Sequence, residues 1–336
     1  MDSLTHIVVG ACIGELIAGK QLGRKALLLG ALANSLPDID IAASLFLSLP
    51  ADLLAHRGFT HSILFALLVS PLLAAACARI FHRDHFTFKQ WWFFWCLQIL
   101  THLFIDSFNS YGTGLFEPFS HARISFNTLF VADPLITLWP LIAFVLLFIL
   151  KKSNTRRKLV ARFALILSGT YLLTAVLCKW SVDKAVANDL ERRHIAHQKY
   201  FTTPTPLNDL LWYVVVQNDS GYAIGYRSVF DKPDSIQYHS VPRNSGLMLP
   251  HADDKDMRRL IRFSPGYYAA AMWHDTLVFN DIRFGEIAGW AEPQPKFVFY
   301  YFIQHPEAND RVVQRGRFAK WDKQQLASFV RRIEGE

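Results

Sequence analysis

In the first third of the chain, imidazoles and carboxylates recur inside or beside apolar runs, where an ionisable group is costly and needs a partner or a purpose. Thr5-His6 opens the first apolar stretch and Pro37-Asp38-Ile39-Asp40 closes the second. His56-Arg57-Gly58-Phe59-Thr60-His61 precedes a long apolar run, and His102-Leu103-Phe104-Ile105-Asp106 ends another. His102 and Asp106 stand four apart, so on a helix they share a face and both can reach one ion. Asp38 and Asp40 stand two apart and fall on the same side of a locally extended chain. Gly58 lets the backbone turn so that His56 and His61 both face inward. His6, Asp38, Asp40, His56, His61, His102 and Asp106 are therefore the candidate ligands, more than one ion uses and enough for two or three. Imidazole nitrogen with carboxylate oxygen suits zinc first, then manganese or iron, and a set without thiolates argues against a purely structural zinc site.

Each residue also has a plainer use. A histidine at a helix end is usually just hydrogen-bonded, Asp38 or Asp40 can cap a helix, and His102 with Asp106 can form a buried pair or a proton relay. Those uses explain the residues singly and not as a set. Arg57 is the candidate for holding an anionic group, with Thr60, Asn109 and Ser110 behind it. Thr60 or Ser62 can equally cap the helix that follows. Asp133 can orient a ligand imidazole from behind or sit at the interface. His121, Arg123 and Asn127 share its connection and could line an entrance. Glu15, out of phase with His6, reads as structural, and Pro140 as a kink.

The elements that must position these groups are transmembrane helices. Four segments, 62–81, 91–108, 129–150 and 159–180, approach the ~20 apolar residues that cross a hydrocarbon core. Two shorter stretches, 4–18 and 26–36, read as a helical hairpin that is re-entrant or packed within the bundle. The fold class expected is an α-helical integral membrane domain over residues 1–180, with four long transmembrane helices and a short N-terminal helical hairpin. A soluble α+β domain follows over residues 181–336. Lys20, Arg24 and Lys25, then Arg79, Arg83 and Lys89, then Lys151, Lys152, Arg156, Arg157 and Lys158 cluster in alternate connections. The positive-inside rule makes those connections cytoplasmic. The domain after Trp180 is then outside, in the periplasm of a two-membrane bacterium. Every His/Asp group falls at the non-cytoplasmic end of its segment, brought to one membrane face by a rule that uses only lysine and arginine.

The rest of the sequence is consistent with this division. A net charge of +7 and a pI near 9.2 would admit nucleic acid as a partner, but the charge sits in clusters beside apolar segments, where topology explains it and no nucleic acid is needed. Cys12, Cys77, Cys96 and Cys178 all lie in apolar segments, so no disulfide framework is expected and packing is their reading. The stretch from Ile7 to Ala18 lacks a basic leader and contains Glu15, unlike a signal peptide. In the exterior half, 211–217 and 222–230 flank the turn Asn218-Asp219-Ser220-Gly221 and predict a hairpin. Segments 236–241, 267–273, 276–279 and 296–304 are further strands, 254–262 and 321–332 are amphipathic helices, and 181–199 is a helical extension. His274-Asp275 and Asp281-Ile282-Arg283-Phe284-Gly285 are the motif-like runs there, with turns as the plainer reading.

The ordered set Thr5-His6, Pro37-Asp38-Ile39-Asp40, His56 through Ser62, His102 through Asp106 and Asp133-Pro134 resembles a family of bacterial inner-membrane, metal-dependent hydrolases. That family includes the YdjM and YbcI proteins, and the added exterior domain with Asp281-Ile282-Arg283-Phe284-Gly285 looks most like its YfhP-type branch. The resemblance covers roughly residues 1–150. It implies a helical metal site in the inner membrane and a distant likeness to zinc-dependent phospholipase C and related nucleases, which use His-x-x-x-Asp pairs on helices around several zinc ions.

The function expected is a membrane-bound, metal-dependent hydrolase that cleaves a lipid or other amphiphilic ester, above all a phosphoester, at the outer face. Metal-activated water would attack, Arg57 would hold the anionic group, and Asp38 or Asp40 would serve as general base. The partners are the lipid bilayer and an amphiphilic substrate; the oligomeric state is left open. A metal or proton transporter is the alternative, though it should carry ionisable residues along a whole pathway. A non-catalytic scaffold or sensor is the third reading.

Overall fold

The computed structural model describes residues 1–82, 86–232, 236–292, 295–309, 318 and 321–336. Arg83, counted above among the topology-setting bases, lies outside the described residues. The chain divides into two compact units, residues 1–43 with 55–175 and residues 44–54 with 176–336.

The first unit is helical. Helix α1 (Ser3–Leu22) starts at Asp2, whose carboxylate accepts from the Thr5 amide at 3.1 Å. Gly23 turns the chain at φ 57°, and α2 (Arg24–Asn34) returns against α1. Glycine is required in this hairpin. A Cβ on Gly30 would fall on the Gly10 carbonyl oxygen, and one on Gly14 on that of Ala26; such small-residue faces let membrane helices approach closely. A 3-10 helix, Leu36–Leu45, continues from α2 at a bend of 53°. The short α3 (Leu49–Ala55) belongs to the second unit but for its last residue; α4 (Ile63–Ile80), α5 (Phe88–Asp106) and α6 (Pro134–Ile149) follow in the first, and α7 (Arg157–Arg192) passes into the second at 176. Ser62 caps α4, Thr87 with Gln90 forms a capping box on α5, and Asp133 caps α6 with Pro134 in its first turn.

Among the described residues, three helices are long and apolar enough to cross a membrane, namely α1, α4 and α7, and four crossings result if the bent pair counts as one. This redistributes the expected spans. The first stretch, expected to be marginal, runs on through Lys20 to Leu22 as an unbroken helix of 20 residues. The span expected over 129–150 shortens to 16 residues because Asp133 and Pro134 start the helix late. In α5, the tryptophans, Gln90, Gln98 and His102 dilute the apolar character. The helical extension expected over 181–199 is the continuation of α7, which ends at Arg192.

The second unit contains two antiparallel sheets. β1 (Lys199–Pro204), β2 (Leu211–Gln217), β3 (Gly221–Ser228) and β4 (Tyr238–Pro242) form a meander in that order, and β5 (Tyr268–Trp273), β6 (Thr276–Glu286) and β7 (Phe297–Phe302) form the other sheet. β2 is buried along its whole length because both faces are covered. Leu211, Tyr213 and Val215 pack toward Tyr267 and Ile282 and onto Phe329 of α9 (Lys323–Ile333). Trp212, Val214 and Val216 pack on Val182, Val186 and Leu190 of α7. The amphipathic helix α8 (Lys255–Phe263) is capped by Asp254. β1 was not expected, since its threonines run into the Pro204-Thr205-Pro206 break. The strand expected at 276–279 extends to Glu286.

A buried His/Asp centre in the helical unit

The centre forms where the C-terminal end of α5 meets the start of α1, the 3-10 helix after α2 and the turn Phe59–His61. Thr5, His6, His61, His102 and Asp106 are fully buried. The 3-10 backbone at Asp38 and Asp40 replaces the extended conformation expected there, yet both carboxylates reach the cluster.

Neighbours fix the imidazole tautomers. His102 Nδ1 lies 2.6 Å from the Asn34 carbonyl oxygen, which can only accept, so His102 carries its proton on Nδ1 and presents an Nε2 lone pair. His61 Nδ1 lies 3.2 Å from Asp40 Oδ2, and a carboxylate sets the same tautomer. The two Nε2 atoms then face each other at 3.0 Å. Asp38 Oδ1 stands 3.4 Å from His61 Nε2 and 3.6 Å from His102 Nε2. Asp106 Oδ2 stands 3.6 Å from each. A tetrahedral ion with bonds of about 2.0–2.1 Å spaces its ligands roughly 3.3 Å apart. The donor set fits. Asp106 Oδ2 is buried and makes no well-aligned hydrogen bond, although the Arg57 guanidinium pairs with it at 3.2 Å, so the oxygen keeps a lone pair that an ion could use. Burial alone would depress the His61 pKa, but its hydrogen bonds to the Asp38 and Asp40 carboxylates and the Asp106 charge outweigh it and hold it above the ordinary value, so a proton on Nε2 is what an ion would displace. The position favours positive charge. Asp38, His61, His102 and Asp106 could hold a metal ion, and Asp38, Asp40 and His56 form a second, more open group that shares Asp38.

The remaining expected residues surround these groups. His6 stacks on His102 with ring centroids 3.7 Å apart. Its Nε2 lies 3.1 Å from Asp106 Oδ1 and its Nδ1 3.3 Å from Asn34 Oδ1, so both nitrogens are engaged behind the cluster. Asp106 Oδ1 also meets the Met1 amino group. Asp40 accepts from His56 at 2.9 Å, the Arg57 amide at 3.0 Å and Thr60 at 2.7 Å. Arg57, expected to hold an anion, turns its nitrogens to protein groups. Its Nε is 3.2 Å from Asp106 Oδ2, one terminal nitrogen donates to Asn109 at 2.7 Å, and the other to the Met1 carbonyl at 3.4 Å. Arg57 adopts φ 61°, the left-handed region that a side chain occupies at a cost of about 1–3 kcal/mol and that clusters at functional sites.

Ser62, rather than Thr60, caps α4. Asp133 accepts from the Leu135 amide and the Tyr171 hydroxyl. Arg123 donates to the carbonyl of His56 at 3.0 Å, Asn127 accepts from Ser125, and the exposed His121 pairs with Glu117. Asn34 and Gln98 were missed by sequence reasoning. The Asn34 amide donates to Gln98, whose own amide donates to the Gly10 carbonyl. For Gln98, an amide in the middle of an apolar helix was the available signal; Asn34, the last residue of α2, had none of that kind. In the second unit, Arg283 and Asp281 close on each other at 2.6 Å within β6, and His274-Asp275 is the turn between β5 and β6.

A helical bundle with several candidate spans and a buried His/Asp centre defines a membrane protein with a potential metal site. The sequence model of the YdjM inner membrane protein family matches residues 1–181, and the chain belongs to that family. The matched region contains the whole centre. The chain is similar to YfhP of Bacillus subtilis (strain 168), with 25% identity over 280 residues covering 80% of this chain and 81% of that protein. It is also similar to the inner membrane protein YbcI of Escherichia coli (strain K12), with 33% identity over 112 residues, which are 33% of this chain and 63% of that protein. No solved structure matches the chain.

Proposed function

We propose that this protein is a membrane-embedded, metal-dependent hydrolase of amphiphilic esters, with phosphoesters foremost, working at the non-cytoplasmic face. The observation that carries the proposal is the pair of imidazole Nε2 atoms set face to face at 3.0 Å, with two carboxylate oxygens completing the arrangement. Zinc is the first candidate, with manganese or iron as alternatives, for a set of two nitrogens and two oxygens. A metal bound there would lower the pKa of a water and polarise an ester oxygen.

The chain's own residues supply the rest. Asp38, common to both groups, would serve both if two ions bind. Asp40 holds His61 and His56 in place, and His56, with Nδ1 anchored on Asp40, leaves Nε2 to take or give a proton. Arg57 balances and positions Asp106, while His6 and Asn34 hold Asp106 and His102 from behind. Asp38 and Asp40 belong to the cluster, whereas Ile39 and Ile41 between and beside them are 62% and 51% exposed. This places apolar surface beside the centre and favours a substrate with an acyl or other apolar portion. By the lysine and arginine pattern, the centre and residues 181–336 share the outer side of the inner membrane.

The test is hydrolysis of an acylated chromogenic phosphodiester by the full-length protein in detergent. Turnover should vanish on chelation, return with zinc or manganese, and fall by about 10²–10⁴-fold in His56→Gln while the ion held by Asp38, His61, His102 and Asp106 is retained. Turnover that is indifferent to chelator, or absent with every divalent metal tried, would overturn the assignment.

A further inference from the structure

The helical unit has a second polar feature, remote from the His/Asp centre. Along α1, His6 and Lys20 are separated by 14 residues, about 21 Å of helix. Around Lys20, an open cleft of about 840 Å³ lies between the end of α1 and the connection from α6 to α7. Lys20, Lys152, Arg157 and Lys158 line it, with Ser153 and Thr155. Among the described residues, Glu15 is its one carboxylate. Glu15 is already neutralised, because the Arg157 guanidinium grips it at 2.9 and 2.6 Å and donates to the carbonyls of Leu147 and Leu150.

That closed pair makes Arg157 part of the cleft's wall rather than one of its free charges. Lys152 leans over Gly23 and donates to the Gln21 carbonyl at 2.6 Å, so its ammonium is held at the mouth. Among the described residues, the cleft offers no further carboxylate to Lys20, Lys152 and Lys158, and neither connection, 19–25 or 151–158, contains an acid. The cleft stands where apolar helices end. Ile149 at the end of α6 and Leu159 and Phe163 in the first turns of α7 are 69%, 50% and 56% exposed.

From this arrangement we infer that the cleft binds the phosphate-bearing headgroup of an anionic phospholipid, with the acyl chains lying along the exposed ends of α6 and α7. Lysine ammoniums and hydroxyls recognise a phosphate oxygen as point charges and donors. Basic pockets between membrane helices are suited to lipid headgroups. The apolar flank selects the lipid over free phosphate, which would gain nothing from it.

Native mass spectrometry of the full-length protein, released from nanodiscs containing equal phosphatidylglycerol and phosphatidylcholine, tests the assignment. Wild type should retain phosphatidylglycerol preferentially. Lys20→Gln/Lys158→Gln should weaken that retention on the order of 30-fold, from the contribution of a basic residue near a lipid surface. Lys25→Gln/Arg156→Gln removes the same charge from the same connections outside the cleft and should leave retention nearly unchanged. Equal loss in the two double variants would show a diffuse charge effect and overturn the site. So would displacement of the lipid by millimolar inorganic phosphate, which would mark a free-anion site.

Discussion

Asp40 illustrates how one carboxylate sets the chemistry of several neighbours. It receives the His56 imidazole, the Arg57 amide, the Thr60 hydroxyl and His61 Nδ1, so it determines which His61 nitrogen is available to an ion. Replacing it by asparagine keeps the shape but lets the amide donate where the carboxylate accepted, which frees His61 to adopt the other tautomer. Asp40→Asn should lower metal affinity by about 10–100-fold, the range for losing a carboxylate behind a ligand histidine, as measured by competition with a chromogenic chelator. An unchanged affinity would show that Asp40 does not orient the ligand. Arg57 and Asp106 form a similar unit, in which a buried guanidinium offsets a buried carboxylate across 3.2 Å without a well-aligned hydrogen bond.

At the scale of elements, the site depends on the α1–α2 hairpin, because Asn34 at the end of α2 holds His102 and contacts His6 on α1. That hairpin rests on backbone-to-backbone approach at Gly10 and Gly30. Gly30→Ala should destabilise the full-length protein in detergent by about 1–3 kcal/mol through overpacking, read as a lower thermal midpoint, and it should weaken metal retention in parallel. A midpoint unchanged from wild type would show that the helices can separate without cost. Much of this was legible in the sequence. The ionisable residues standing in apolar surroundings marked the centre, and the lysine and arginine clusters marked the opposite connections. Element edges were less legible. Nothing in composition separates a marginal stretch from one that continues through Lys20 to Leu22, and the 53° bend after α2 is set by packing. Arg157 shows the limit of reading charge by type, since it was counted only as a topology signal and is also buried on Glu15. Asn34 and Gln98 escaped notice because neutral amides carry no ligand signature.

For the whole molecule, the two units answer to different physics. The helical unit gathers the His/Asp centre at one end of α1 and Lys20, Lys152 and Lys158 at the other. The other unit is a two-sheet α+β fold with its own titratable lock. His239 Nε2 lies 2.8 Å from Glu286 Oε1, and that hydrogen bond raises the His239 pKa above the ordinary 6.5. A raised histidine contributes stability that is fully present below the unfolded value and is lost as pH rises through the folded one. The second unit should therefore become slightly easier to unfold from just above pH 6.5 upward. The effect should be under about 1 kcal/mol because His239 is partly exposed and solvent screens the pair. Proteolytic opening of residues 181–336 in the intact protein, followed against pH, reads this directly, and Glu286→Gln should flatten the profile. A slope of opposite sign, or one that survives in the variant, would assign the dependence elsewhere.

The most direct measurement of the central claim is elemental analysis of the full-length protein, purified in detergent without chelators, beside His102→Ala and Asp106→Ala variants of matched thermal profile. Wild type should carry about one or two divalent ions per chain, within the coordination arithmetic of the two overlapping groups, and both variants should carry almost none. Wild type that holds no ion and takes none up on dialysis against zinc, manganese or iron would contradict the account. Variants that retain the wild-type content would contradict it equally.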